Sequence, residues 1–246
     1  MGKLIRAEFL KLRKSLGYKV LFLCAMGLGL FVGFLTAYVV NDFADVAGMG
    51  ELGITFTTNG FMMLKNLIND TQTNVILISI FSAIFISGEF ADRTYGIALY
   101  SGVPRWKVLA SKVSVYLIAI LPMIVIYPVS GMLAAASRYG FGTVPDDLLL
   151  LCLRCLLGFA AVAGFCVLMS VLIKNVGGVI GACIGGTSAL TILNLFPKLE
   201  PAAKFSFMYQ LAQIGSGGWM FLGVMIVTLV VSLVLAAVLF ERAELK

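Results

Sequence analysis

The sequence predicts an all-α integral membrane protein with six transmembrane helices, and three observations predict it. Of its 246 residues, 61% are hydrophobic and only 12% are charged, against roughly a quarter charged in an average soluble domain. A single soluble core of this length has no room for that much apolar surface. The apolar residues also come in long runs, close to the ~20 residues needed to cross the hydrocarbon core of a bilayer.

The first run, Val20–Val40, is about 31 Å long as a helix. A basic arm, residues 1–17, precedes it. Ile5, Phe9, Leu12 and Leu16 share one helical stripe of this arm, and Lys3, Arg6, Arg13 and Lys14 lie on the opposite half. That pattern predicts an amphipathic helix on anionic lipid; a plain basic tail is the alternative. The apolar run is long, and no A-x-A site follows it, so no cleaved leader is expected.

The second span ends at Ser87. Its clean apolar part, Val75–Ser87, reaches only about 20 Å, and the polar stretch "NDTQTN" (Asn69–Asn74) precedes it. Either this helix thins the bilayer, or its polar start faces protein or water. The second option places Thr71, Gln72 and Asn74 on a substrate path. The upstream "NGFMMLKNLI" reads as an outer interfacial helix.

The third span is read as Val113–Ser137, kinked by Pro122 and Pro128, and the fourth as Leu148–Ile173. Arg154 lies deep in the fourth, at an insertion cost of at least ~2.5 kcal/mol. Either it snorkels outward or pairs with Asp147, or it lines a substrate cavity. The fifth span, Val176–Phe196, carries Gly177, Gly181 and Gly185 at four-residue spacing, and the first has Gly29 and Gly33. Such small-residue ladders let helix backbones approach closely, either inside one subunit or at a dimer interface. Residues 197–216 predict an outer, re-entrant or interfacial helical hairpin, with Phe205, Phe207, Tyr209 and Trp219 as anchors. The sixth span is Trp219–Phe240, and residues 1–246 form one permease-like domain.

Charge sets the orientation. An even span count puts both termini on one side. That side collects Lys3, Arg6, Lys11, Arg13, Lys14, Lys19, Arg93, Arg105, Lys107, Lys112, Lys174, Arg242 and Lys246, and the other side only Lys65, Arg138, Lys198 and Lys204. Both termini are therefore expected in the cytoplasm of a cell-membrane, multi-pass protein. The net charge of +6 is a topology and lipid signal, and no nucleic-acid partner is expected.

Catalytic and metal sites are not predicted. The chain has no histidine, the commonest general base and metal ligand. The H-E-x-x-H, G-x-S-x-G and G-x-x-x-x-G-K-[ST] patterns are missing as well, so the chain is not expected to hydrolyse ATP or bind a cofactor itself. The five cysteines all lie in apolar runs; "CLRC" at Cys152–Cys155 reads as small packing residues, with no disulfide expected.

The stretch from Gly88 to Lys112 interrupts two apolar runs. Glu89 and Arg93 are four apart and can pair on one helix face. Asp92 suits the N-cap of a short helix through about Tyr100. Gly102 can end that helix, and Pro104 suits the first turn of the next, followed by Arg105, Trp106 and Lys107 at the membrane surface. Ile97, Leu99 and Tyr100 are left exposed, to be covered by lipid or by a partner.

On these residues the chain resembles the permease subunits of type-2 ABC exporters (ABC-2). The resemblance rests on Glu89-Phe90 just inside span two, Arg93-Thr94-Tyr95-Gly96, the Val103-Pro104-Arg105 break, Lys112, and the charged ending "FERAELK"; Thr94 before Gly96 departs from the family's usual order. The resemblance implies a dimer, of two copies or with a similar permease, and two separate ABC ATPase subunits that carry ATP and Mg²⁺. Residues 88–104 become the cytoplasmic coupling region, with Glu89, Asp92, Arg93, Ile97, Tyr100 and Arg105 coupling to the ATPase. Spans one, two and five are expected to line the lumen and dimer contact, with Gly29, Gly33, Gly177, Gly181 and Gly185 at the interface.

Permeases of this length resemble exporters of amphipathic or antimicrobial peptides, such as bacitracin-resistance, lantibiotic-immunity and phenol-soluble-modulin exporters. Drug, sodium or polysaccharide export is the alternative within the family. An ATPase-free channel or secondary carrier, or a membrane scaffold or sensor subunit, is the alternative outside it.

Overall fold

The computed structural model describes residues 2–46, 58–92, 102–193, 203–215 and 218–242, with side chains of the first segment up to residue 39. Among these residues all regular structure is helical. Helix α1 spans Gly2–Lys14, α2 Leu16–Val46 and α3 Gly60–Asn69. Helix α4 runs Thr71–Ala91, with one π-helical turn at Ala83–Ser87. Next come α5 (Arg105–Tyr139), α6 (Leu148–Ile173), α7 (Val176–Leu193), the short α8 (Phe207–Ala212) and α9 (Trp219–Arg242).

Five of these helices are long and apolar enough to cross a membrane: α2 over Leu16–Val39, α4, α5, α6 and α9. The apolar helix α7 is shorter. It starts beside the end of α6, where Ile173 crowds Gly178. Near its other end Ser188 accepts a hydrogen bond from Gln72 at the start of α4. It therefore runs antiparallel to α6.

Helix α4 corrects the sequence reading most. The expected 13-residue apolar segment is a 21-residue helix, about 31 Å long. Its polar start satisfies itself: the Asp70 side chain accepts from the Thr73 N–H, and buried Asn74 donates to the carbonyls of Asp70 and Leu67 at 2.9 and 3.3 Å. With those groups paired, the helix can begin four residues before the apolar run.

On one side α4 meets α5 through Phe81 stacked on Tyr116, which is fully buried, and through Tyr127, whose hydroxyl donates to Asp70 Oδ2 at 2.7 Å. On its other side Ser82 and Ser170 of α6 are hydrogen-bonded at 2.9 Å, and Ser79 lies 3.6 Å from Cys166 Sγ. Interhelical hydroxyl bonds of this kind join helices where no hydrophobic driving force separates protein from lipid.

Gly29 and Gly33 serve packing within the chain. A Cβ on Gly33 would lie 2.5 Å from Gly131 Cα, and one on Gly29 would collide with Ser130 Oγ and the Tyr127 carbonyl. The two helices α2 and α5 thus touch backbone to backbone, and this pair points into the subunit rather than toward a second copy. The far end of α5 is capped by α3, whose Gly60 and Phe61 N–H groups donate to the carbonyls of Gly140 and Phe141 at 3.0 Å each. Because Met63, Leu64, Leu67 and Ile68 are buried, α3 is half core rather than an interfacial helix lying on lipid.

In the segment expected to form an outer hairpin (197–216), residues 197–202 and 216 lie outside the described residues, as does the expected end of the fifth span from residue 194. The described part folds α8 inward. Phe207, Leu211 and Ile214 are buried, and Phe207 packs on Phe165 of α6, so Phe207 is a core residue. Phe205 and Trp219 are strongly exposed, as interfacial anchors are.

Candidate coupling site

One end of the bundle holds a four-charge network. Lys112 sits two turns into α5 and is 1% exposed. A lone buried ammonium is costly, so it demands anionic partners. Two arrive from different elements. Glu8 of α1 lies 3.2 Å from Lys112 Nζ, and Glu89 in the last turn of α4 lies 2.5 Å from it. Lys11 closes the network at 3.3 Å from both Glu8 and Glu89. Two lysines and two carboxylates therefore alternate, and α1, α4 and α5 are bound at a single point. Lys112 also lies over the Phe85 ring, 4.6 Å from its centroid, a favourable cation–π geometry.

Burial pulls the Lys11 ammonium down, but the carboxylates of Glu89 and Glu8 outweigh it and hold its pKa above the ordinary 10.5. The lysine stays charged over the whole neutral range.

The local structure follows from the sequence around each residue. Leu12 of α1 is buried and Ile5 packs on the core, while Phe9 and Leu16 remain exposed. Helix α1 is therefore seated on the bundle by Leu12 and Ile5 and leaves Phe9 exposed, while Leu16 already belongs to α2. The π-helical turn at Ala83–Ser87 inserts one extra residue per turn, and Glu89 follows directly behind it. Beside the network, a cleft of about 170 Å³ opens between Lys11, Ser15, Phe85, Glu89 and Asp92.

The rest of this end is tied together as well. Arg105 donates to the Glu241 carbonyl at the end of α9 at 2.9 Å, and Phe90 meets Phe240 edge to face at 5.9 Å. The start of α5, the end of α4, the end of α9 and helix α1 therefore share one end of the bundle.

Of the residues expected to couple to an ATPase, Arg93, Ile97 and Tyr100 lie outside the described residues, as does Arg93's expected pairing with Glu89. Glu89 faces Lys112 and Lys11 across the bundle. Asp92 closes the preceding helix: its N–H donates to the Gly88 carbonyl at 2.9 Å. Gly102 has φ +78°, a left-handed backbone that glycine adopts without strain, and Pro104 is the N-cap of α5. Sequence reasoning missed Glu8 and the burial of Lys112. The available signal was an acidic residue in a basic arm together with a lysine inside the apolar start of a span.

The expected substrate-path residues do not converge. Asn74 is committed to backbone carbonyls, exposed Gln72 holds Ser188, and Arg154 lies on α6, where it donates to the Gly215 carbonyl at 3.1 Å. No Asp147 ion pair is present among the described residues. On α7, an added Cβ would meet nothing within 4 Å at Gly181 or Gly185, and at Gly177 only Asn175 at 3.7 Å.

These features define a polytopic helical membrane protein with a four-charge network at one end. The family comparison is more specific: residues 4–194 match the model of the ABC-2 family transporter proteins, and the chain belongs to that family. It is thus a multi-pass membrane component of a transport system, and membership implies partnership with ABC ATPase subunits. No curated protein matches the chain significantly.

Proposed function

We propose that this chain is the permease of an ATP-driven exporter and that separate ABC ATPase subunits seat on the end carrying Lys112. The observation that carries this reading is the four-charge network. It binds α1, α4 and α5 at the point where the chain leaves α4 for residues 93–101, the segment expected to contact the ATPase. A push on that segment acts directly on Glu89. Glu89 can move only with Lys112 and Lys11, so displacement of the segment becomes displacement of three helices. Such discrete ion-pair arrangements are what interfaces repack in switching transitions.

In this reading α7 completes a sixth crossing. Its start lies by the end of α6 and its Ser188 by the start of α4. Helix α1 and the end of α9 then lie together on the cytoplasmic side, as the basic surplus requires. A second copy of the chain packs on the open glycine face of α7 at Gly181 and Gly185, where two backbones can meet closely. ATP and Mg²⁺ belong to the ATPase. The proposed cargo is an amphipathic or antimicrobial peptide of the phenol-soluble-modulin kind, entering from the inner leaflet. Its support is the resemblance.

The test is co-expression with candidate ABC ATPases, purification, and ATP-dependent uptake of a labelled amphipathic helical peptide into inside-out vesicles. Co-purification with uptake supports the reading. Failure of every ATPase to co-purify contradicts the exporter reading, and co-purification without peptide uptake contradicts the cargo.

A further inference from the structure

At the end of the bundle opposite Lys112, a cavity of about 480 Å³ opens between the starts of α6 and α9. It is lined by Leu150, Leu153, Arg154, Leu157, Trp219 and Leu222, with Gly218 at its edge. Its walls are apolar apart from one guanidinium and one indole. Its rim faces outward, with Leu150, Leu153 and Trp219 49%, 56% and 88% exposed. A groove of this composition on the flank of a membrane helix is filled by a chain that shares its chemistry.

Arg154 decides the polar end of that occupant. It lies six residues from the start of α6 at Leu148, about 9 Å along the axis. The 26 residues of α6 reach roughly 39 Å, against a hydrocarbon core of about 30 Å. The guanidinium therefore sits within a side chain's reach of the layer that holds lipid phosphates. Among the described residues its one acceptor is the Gly215 carbonyl, and no carboxylate lines the cavity. An arginine presents several N–H donors in a fixed fork that matches phosphate oxygens. In an apolar groove the remaining donors call for an anion. Trp219 stands where indoles settle, at the boundary of headgroup and acyl chain.

We propose that this groove is a binding site for an anionic membrane phospholipid, with its phosphodiester on Arg154 and one acyl chain along Leu150, Leu153, Leu157 and Leu222. The site is independent of the exporter reading and stands or falls without any ATPase.

The chain has two tryptophans, Trp106 and Trp219, and a Trp106→Phe background isolates Trp219. This protein is reconstituted in phosphatidylcholine vesicles with a minor fraction of phosphatidylglycerol brominated on its acyl chains, and Trp219 quenching is read. The expected result is a local excess of the brominated lipid of about five-fold over its mole fraction, the scale of one basic residue at an anionic surface. Arg154→Gln returns quenching to the mole-fraction level, and Arg154→Lys keeps part of the excess. Leu157→Trp in place of the Arg154 change is followed instead by native mass spectrometry: it fills the groove with the guanidinium intact, and the retained phosphatidylglycerol is lost. Quenching at the mole-fraction level in the parent protein overturns the proposal, as does an excess indifferent to Arg154→Gln. An excess abolished by inorganic phosphate alone assigns the site to a free anion and also overturns it.

Discussion

Lys112 of α5 and Glu89 of α4 form a direct ion pair with the lysine 1% exposed, although the two residues are separated in sequence by a charged stretch between two apolar runs. Leaving a buried charge wholly unpaired costs about 3–5 kcal/mol; Glu8 beside Lys112 and Lys11 beside Glu89 reduce that cost here. Glu89→Gln and Lys112→Met are each expected to lower the thermal midpoint of the purified protein sharply. The double variant is expected to recover much of the loss, because no charge is left alone. A double-mutant cycle by thermal unfolding in lipid-containing detergent checks this; additive losses contradict the pairing.

The glycines divide by what faces them. Gly33→Leu forces a side chain into the Gly131 backbone and is expected to prevent stable folding, seen as loss of monodisperse protein. Gly185→Leu meets open space and is expected to leave the fold intact while weakening self-association, read by cross-linking in membranes. Equal behaviour of the two variants contradicts the assignment of one to the subunit interior and the other to a dimer face.

Asp70 caps α4 and accepts from Tyr127 at 2.7 Å. Hydrogen bonds to charged groups contribute about 1.5–3 kcal/mol. Tyr127→Phe is expected to cost that order of stability and to speed hydrogen exchange at the first turn of α4. Unchanged exchange there argues against the tie.

Lys11 gives a pH signature. Its pKa is raised by Glu89 and Glu8, so its contribution is fully present below the unfolded lysine value of about 10.5 and lost as pH rises through the higher folded value. The difference in melting midpoint between the parent protein and Lys11→Met is expected to stay constant from neutral pH to about 10 and to shrink above the lysine range. Thermal scans across that range measure it.

Five of the six expected spans are helices long and apolar enough to cross a membrane, and the expected fifth, α7, is shorter. The limits Leu148–Ile173 coincide with α6, where a leucine-rich run starts just after Asp147 and stops before Lys174. Sequence reasoning fell short at α4, because Asn69–Asn74 reads as polar until Asp70 and Asn74 are seen bonding the backbone. The Gly29–Gly33 pair was legible as a close-approach motif, but its partner Gly131 sits about a hundred residues away with no periodic signal. The same distance hid the ionic network: Glu8 and Lys112 are 104 residues apart, and Lys11 and Glu89 are 78 apart. Local spacing favoured Glu89 with Arg93, which lies outside the described residues; Lys11 and Lys112 are described partners of Glu89.

The network joining Glu8, Lys11, Glu89 and Lys112 is proposed to carry motion between a separate ATPase and the spans. The most direct measurement is ATP turnover by the co-purified permease–ATPase complex in liposomes, with and without peptide, for the parent protein and for the Glu89→Gln/Lys112→Met double variant. The double variant is expected to fold and to bind the ATPase still, with a turnover that peptide no longer changes. Peptide stimulation equal to that of the parent complex would contradict it.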